Sequence, residues 1–482
     1  MSCRLAVVSF VLGLVLAAGP AAAEGKPNPH AARIKGPFKS GPEVTAVCLK
    51  CHAKQAEDLM KSSHWKWKGP PRSLEGFGPG SKDELGKLTL INNFCISIEG
   101  GAKPSNREKC SQCHPSYGWL DGSFDFTDRK AIDCLVCHAQ EGMYQKSYGG
   151  FPDPRMLANG RMDLVKAARS VSAPTRGNCL TCHAYGGSGE CVKHGDLGSS
   201  LESPDDDLDV HMGQSQGLNC QDCHRTEAHN ISGQSVFTAT YSERVTCRDC
   251  HGESHAKAVQ KDALNRHLRT LACETCHLPV YARDVATQMS WDWSSAGKSI
   301  VSTESYDRES YSKDHGLFTW GKDVNPTYAW FNGTIRRYLK GQKLEGTSPY
   351  VLNRPLGDLA DPRALIYPFK RHSGRQPMDS KFRYLLTPNT FKGYWEHYDW
   401  QRALKDGVAG SGLAYSGAFE FVDTVEYSGL HHMIPPKANA LKCGDCHDGG
   451  KRLDWRELGY AGDPKKVGAR KLPAAKEEAP QK

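Results

Sequence analysis

Sixteen cysteines fall into eight copies of one pentapeptide, C-x-x-C-H. The copies are Cys48, Cys51 and His52; Cys110, Cys113 and His114; Cys134, Cys137 and His138; and Cys179, Cys182 and His183. Then come Cys220, Cys223 and His224; Cys247, Cys250 and His251; Cys273, Cys276 and His277; and Cys443, Cys446 and His447. Two thiols at this spacing add across the two vinyl groups of one porphyrin edge. The next imidazole is then held beneath the ring, where its Nε2 binds iron. Disulfides or zinc sites would also use C-x-x-C pairs, but neither demands His after the second Cys. With 20 His in 482 residues, eight successes in eight by chance is roughly 10⁻¹¹. The pattern reads as eight covalently attached haem c groups, each bringing iron.

Each iron has a second face. Twelve His remain outside the pentapeptides. His64, His194, His211, His229, His255, His267 and His432 lie where they can reach neighbouring motifs and are the candidate distal ligands. A helix running from His52 to His64 would separate the two by roughly 18 Å and about 120° of rotation. His64 therefore cannot serve the haem of His52, and by the same reasoning His255 and His267 serve different haems. Distal residues should cross-stitch the stack. His315, His372, His397 and His431 read as surface or pocket residues, and His30 as part of a mobile N-terminus. Seven distal imidazoles for eight haems leave one iron different from its siblings, and such an iron can bind substrate.

The rest of the chain must position these groups. Only 38% of residues are hydrophobic, below the roughly 45–50% of ordinary globular domains. Apolar porphyrins fill the deficit. The formal charge of +8 balances haem propionates rather than marking an acidic partner, and no run of like charge forms a nucleic-acid arm. Arg4, an apolar stretch from Leu5 to Ala18 and Ala21-Ala22-Ala23 form a secretory signal over residues 1–23, so the protein is expected to be periplasmic. No span remains after its removal.

Seven motifs crowd residues 24–285, too close together for independent domains, so the haems must stack in one block. Residues 286–440 carry no motif but many aromatics, among them Trp291, Trp293, Trp320, Trp330, Trp395 and Trp400, and read as an insertion packed over that block. Residues 441–462 carry the eighth haem, and 463–482 read as a disordered tail. The expected fold is mainly α with extensive loops, a multihaem cytochrome c fold around a stacked haem core, with little β and that confined to the insertion. Helices are expected over 52–64, 255–270, 162–169, 335–340, 401–405 and 451–458.

Several stretches resemble the octahaem tetrathionate reductase family of periplasmic cytochromes c. They are residues 91–95 (INNFC), Cys110 to Trp119, residues 124–127 (FDFT), Asp133 to His138, residues 192–197 (VKHGDL) and residues 208–212 (LDVHM). The resemblance spans nearly the whole mature chain. It implies that the second haem, with His114 as proximal ligand, is the active site and that a lysine amine, here Lys193, is its distal ligand. The pocket asparagine and cysteine fall on Asn92 and Cys95, and the acidic position on Glu190. It also implies reduction of a small inorganic sulfur or nitrogen oxyanion, tetrathionate foremost and nitrite or hydroxylamine besides. Electrons would come from a periplasmic or membrane quinol-linked donor. Related octahaem nitrite reductases carry C-x-x-C-K, whereas all eight motifs here end in His. Cys95 and Cys191 are the only mature cysteines outside the motifs. They could form a disulfide, or place thiols beside the active iron. The competing reading is a relay cytochrome with every iron saturated.

Overall fold

The computed structural model describes residues 28–78, 81–233, 244–252 and 254–471. The secretory signal over 1–23 and the end of the tail, 472–482, lie outside the described residues. Among the described residues no helix is long and apolar enough to cross a membrane.

The haem-motif half is built from short helices joined by long connectors. The longest helix, α1 (Gly41–Lys61), carries the first pentapeptide in its middle and departs from helical geometry at His52. The run expected to continue to His64 ends at Ser62, which caps a separate short helix by accepting from the Trp65 N–H. Several pentapeptides form one helical turn of their own, as in Cys247–His251 and Cys273–His277. In three of these turns the Asp of the motif accepts from the N–H of the residue before the motif: Asp222 from Asn219, Asp249 from Thr246 and Asp445 from Lys442. The helix expected over 255–270 is confined to Lys261–His267.

The expectation of little β needs correcting. The insertion is a seven-stranded mixed sheet: β1 (Thr287–Asp292), β2 (Tyr311–Ser312), β3 (Gly316–Gly321), β4 (Thr327–Phe331), β5 (Tyr350–Val351), β6 (Leu365–Asp379) and β7 (Phe419–Gly429). The strand order is β5-β7-β6-β1-β3-β2, with β4 paired to the first part of β6. From Phe369↔Gly429 to Asp379↔Phe419, β6 pairs antiparallel with the whole length of β7. It pairs in parallel with β1 through Ser373↔Ser290. Outside the insertion the only strands among the described residues form the small hairpin Thr226–Glu227 with Asn230–Ile231.

The segment expected to be helical at 335–340 is instead a strand, Ile335–Arg337, paired with Asn353–Pro355. Its burial alternates, with Ile335 and Arg337 inside and Arg336 outside, and that is the period of a strand. Residues 451–458 are turns, organised by the Asp454 carboxylate accepting from the Arg456 and Glu457 N–H groups. The helix near 401–405 is longer than expected, Trp400–Ser411. The start of the supposed tail is ordered: Asp463 accepts from Nδ1 of His447 at 2.6 Å and caps a turn over Pro464–Val467. Aromatic side chains of the insertion, Trp291, Trp293 and Tyr394, bury with Ile91, Phe94 and Ile96 in the largest apolar cluster. The insertion and the haem half therefore share a common core.

Candidate active site

A connected cavity of about 3130 Å³ runs through the haem-motif half. That is about three times the upper end of ordinary small-molecule pockets. Cysteines from the second to the seventh pentapeptide line it. Thiols of different pentapeptides meet in pairs: Cys48 with Cys134, Cys113 with Cys182, Cys179 with Cys220, and Cys247 with Cys273. Distant motifs are thus brought edge to edge, and the second motif adjoins the fourth.

Imidazoles meet in seven pairs, each with one ring from a pentapeptide, and five of the pairs line this cavity with both rings. Ring centroids are 5.9 Å apart for His52 and His30, 6.3 Å for His138 and His229, and 6.1 Å for His183 and His64. They are 6.2 Å for His224 and His432, 6.0 Å for His251 and His211, 6.5 Å for His277 and His255, and 6.0 Å for His447 and His267. An iron with an Nε2 at about 2 Å on each face needs centroids about 6 Å apart. The spacing fits haem, and the cysteine pairs beside it fit thioether attachment.

The structure places six of the seven candidate distal residues opposite a pentapeptide imidazole. The seventh place belongs to His30, which the sequence assigned to a mobile terminus. His30 is instead held by Asn28, whose Oδ1 receives both its backbone N–H (2.9 Å) and its Nδ1 (3.0 Å). Asn28 in turn donates to the Arg169 and Val171 carbonyls. His194 belongs to none of the seven pairs; it is half-buried and lines the cavity, with Nδ1 3.3 Å from the Ser428 hydroxyl.

His114 differs from the other seven pentapeptide histidines. Its ring is fully buried in a box of Trp65, Trp67, Trp119, Phe124 and Phe126, at centroid distances of 4.5–6.2 Å. Nε2 lies 2.5 Å from the Trp65 carbonyl, and Nδ1 lies 2.7 Å from the Ser116 hydroxyl. A carbonyl can only accept, so Nε2 carries the proton, and a protonated Nε2 does not bind iron. Burial pushes the His114 pKa down to about 3, which keeps the ring neutral. His114, expected beneath the porphyrin, thus faces the Trp65 carbonyl here; its motif cysteines line the cavity and its imidazole does not.

Lys193 does line the cavity, together with Asn92, Cys95, Cys110 and Cys113. Burial pushes its ammonium down to about 8, with the Glu426 carboxylate opposing and Lys87 and Arg337 adding to the shift. A neutral amine within reach of ordinary pH is what a metal ligand requires. The loop carrying Lys193 folds back on itself through Lys193 N–H to the Gly186 carbonyl (3.1 Å) and Cys191 N–H to the Ala184 carbonyl (3.0 Å). Gly187 takes φ +84°, and a Cβ there would lie 3.3 Å from Phe94 and 3.4 Å from the Lys193 Cβ. The Asn92 loop and the Lys193 loop thus close on each other at a glycine.

The Asn92 loop is fastened to the sheet. Asn93 donates from its backbone N–H to Glu426 Oε2 (2.9 Å) and from its amide to the His372 carbonyl (3.0 Å). Its Oδ1 accepts from Gln376 (3.0 Å) and Thr424 (2.6 Å). Glu426 pairs with Arg337 at 2.6 Å, both fully buried, and Arg337 reaches the Ile91 carbonyl. Trp293 donates to the Phe94 carbonyl at 2.9 Å. Asn92 uses its own Oδ1 to receive the Phe94 N–H (2.9 Å), leaving its NH₂ end as the donor available to the cavity it lines.

Both remaining cysteines are thiols. Cys95 Sγ lies 2.9 Å from the Ser188 hydroxyl; burial raises its pKa, against Ser188, Lys87, Lys109 and Lys193. Cys191 is buried away from the cavity, and burial pushes it up to about 12. Glu190 is turned away as well. Its Oε1 accepts from the Ser199 side chain and N–H, and its Oε2 lies 4.0 Å from Arg308. Residues 190 and 191, adjacent to Lys193 in sequence, therefore do not share its pocket. The positive residues that do are Lys87 and Lys109, which line the cavity and act on Cys95, Cys110 and Cys113.

The solved structure of octahaem cytochrome c from Shewanella oneidensis superposes with a TM-score of 0.82 at 42% identity, covering 91% of this chain and 98% of that one. The chain belongs to the octahaem cytochrome c family. It binds haem c covalently. The bacterial cytochrome c sequence pattern matches residues 288–450, which are the sheet and the eighth motif. The sheet is thus part of the family's own architecture. An uncharacterised protein of Archaeoglobus fulgidus is 26% identical over 240 residues, 41% of this chain and 77% of that protein.

Proposed function

We propose that the protein is a periplasmic octahaem reductase. In this reading all eight pentapeptides carry haem, seven irons sit between two imidazoles, and the iron at Cys110 and Cys113 is held by the Lys193 amine. Bound haem supplies an iron that alternates between ferric and ferrous states and passes single electrons. The observation that carries the reading is the exception at the second motif: His114 is committed to the Trp65 carbonyl, while Lys193 stands in the cavity beside that motif's cysteines. A site with one protein ligand leaves a face for substrate, whereas a site between two imidazoles relays electrons.

The substrate class is a small inorganic oxyanion of sulfur or nitrogen, tetrathionate foremost, with nitrite and hydroxylamine as further substrates. Tetrathionate takes two electrons, its central S–S bond breaks, and two thiosulfates leave; no proton is needed. Lys87 and Lys109 supply positive potential for the anion. The Asn92 NH₂ donates to a substrate oxygen, and Cys95 borders the same space. The seven imidazole pairs deliver electrons from a quinol-linked donor, and contact between Cys113 and Cys182 brings the second site next to the fourth.

The test is steady-state reduction of tetrathionate, nitrite and hydroxylamine by the purified holoprotein with a reduced dye, alongside Lys193→Ala. Cyanide or CO should bind at one haem in eight, and the variant should lose activity. Eight haems inert to both ligands would overturn the reading in favour of a pure relay.

A further inference from the structure

Lys370, near the start of the β6–β7 pairing, is 1% exposed, and no carboxylate touches its ammonium. Burying an ammonium costs several kcal/mol unless its protons are all bonded. Here they are. Nζ donates to the Val192 carbonyl at 2.7 Å, the Lys193 carbonyl at 3.2 Å and the Thr287 hydroxyl at 2.6 Å. The Thr287 hydroxyl spends its single proton on the Cys191 carbonyl, also at 2.6 Å. Toward Lys370 that oxygen can therefore only accept. The three acceptors match the three N–H protons of the ammonium form, one each.

Three consecutive carbonyls, those of residues 191, 192 and 193, are thus captured by two side chains of the sheet. These carbonyls have no ladder or helix to bond to, so the tripod stands in for secondary structure. The same ammonium lies 5.9 Å from the ring centroid of Phe94, within cation–π reach. Phe94 belongs to the loop of Asn92 and Cys95. One group therefore touches both loops that border the second haem site.

A lysine amine stands at the end of four methylenes with many rotamers, so its backbone position decides where the amine can dwell. Displacements near 1 Å in a reacting group cost on the order of 10²-fold in rate. We propose that Lys370 is the positioning residue of this site, its tripod to Val192, Lys193 and Thr287 fixing the peptide units from which the Lys193 amine reaches the iron. The inference rests on Lys193 being the iron ligand. Lys370 itself touches neither substrate nor iron; it acts through Lys193.

The test uses holoprotein carrying Lys370→Met, which matches the length of the side chain without its donors. Thr287→Val, Thr287→Ser and Lys193→Ala are prepared beside it. Haem content and far-UV circular dichroism check the fold. The readout is the ferric EPR and magnetic circular dichroism of the one haem that differs from the other seven. Lys193→Ala defines the signal without amine ligation. Lys370→Met should show a second population giving that same signal, with kcat for tetrathionate down roughly tenfold or more and KM within about twofold. Thr287→Val should show the same population in smaller amount, and Thr287→Ser should return the native signal. Added to Lys193→Ala, Lys370→Met should change the spectrum no further. Native spectra in both Lys370→Met and Thr287→Val, with an altered Lys193→Ala, would overturn the tripod and leave the ligand assignment standing. An unaltered Lys193→Ala would overturn the ligand assignment, and the tripod with it. Should Lys370→Met lose haem or fail to fold, Thr287→Val decides by the same criterion.

Discussion

Replacing Asp196 by Asn should raise the reduction potential of one haem, the one attached at Cys220 and Cys223. Asp196 is 1% exposed. Its Oδ2 accepts from Nδ1 of His432 at 3.3 Å and from the backbone N–H groups of His431 (2.7 Å) and His432 (3.1 Å). Burial alone would raise its carboxyl pKa; the His432 ring outweighs this and holds the group well below the usual carboxylate range. A carboxylate on Nδ1 makes the imidazole a stronger donor to iron and favours the ferric state. The negative charge lies about 7 Å from an iron seated between His432 and His224. At an effective dielectric of about 20, that distance corresponds to about 2.4 kcal/mol, or about 100 mV. Asn keeps an acceptor oxygen and removes the charge, so the potential should rise by up to about 100 mV. Asp463→Asn, beside His447 at 2.6 Å but more open to water, should raise the potential of the eighth haem by less. The assay is a spectroelectrochemical titration of the holoprotein, followed by EPR to identify the shifted haem. A shift under roughly 20 mV in Asp196→Asn, or a downward one, would refute the assignment of Asp196 as a modulator of that ligand.

His30→Ala should create one additional cyanide-binding haem, at Cys48 and Cys51, whereas His194→Ala should create none; optical titration with cyanide distinguishes them. Lys87→Ala with Lys109→Ala should raise KM for tetrathionate and flatten its salt dependence while leaving uncharged hydroxylamine nearly unaffected, as steady-state kinetics at varied ionic strength would reveal. Asp379 is buried; burial alone would raise its pKa, but N–H donors from Phe382, Ser416 and Lys381 hold the carboxyl below its ordinary value. Its stabilisation is therefore present above the unfolded carboxylate pKa and is lost as pH falls through the lower folded one. Asp379→Ala should cost about 2–3 kcal/mol at neutral pH in denaturant unfolding, and less in acid.

What is local in the chain was legible. The pentapeptides announce themselves because attachment chemistry needs five adjacent residues. The rise and turn of a helix suffice to exclude His64 as the partner of His52, and the structure sets it opposite His183. The sheet was hidden for a physical reason. β6 buries one face and leaves the other partly open at Tyr367, Arg371, Ser373 and Arg375, but it holds Pro368 and Pro377 and turns Lys370, His372 and Gln376 inward, so neither apolar–polar alternation nor an apolar run marks it in the sequence. Its polar interior answers to loops hundreds of residues away, such as Asn93 on Gln376 and Thr424. Glu190 was placed in the pocket by the family resemblance, but the backbone between it and Lys193 reverses, with φ +55° at Cys191. His30 was missed because a terminus without hydrophobic pattern gives no sign that Asn28 pins it to the chain near Val171.

Under the proposed ligation by Lys193, the box around His114 separates two duties that the pentapeptide ordinarily combines. Tethering belongs to the sulfurs, and gripping the metal belongs to whichever base the surroundings present. On that reading, a count of such motifs gives the number of porphyrins in a protein but does not by itself say which irons are closed to chemistry. In this chain the copy to examine is the one whose histidine is followed by Trp119, Phe124 and Phe126, which enclose its ring.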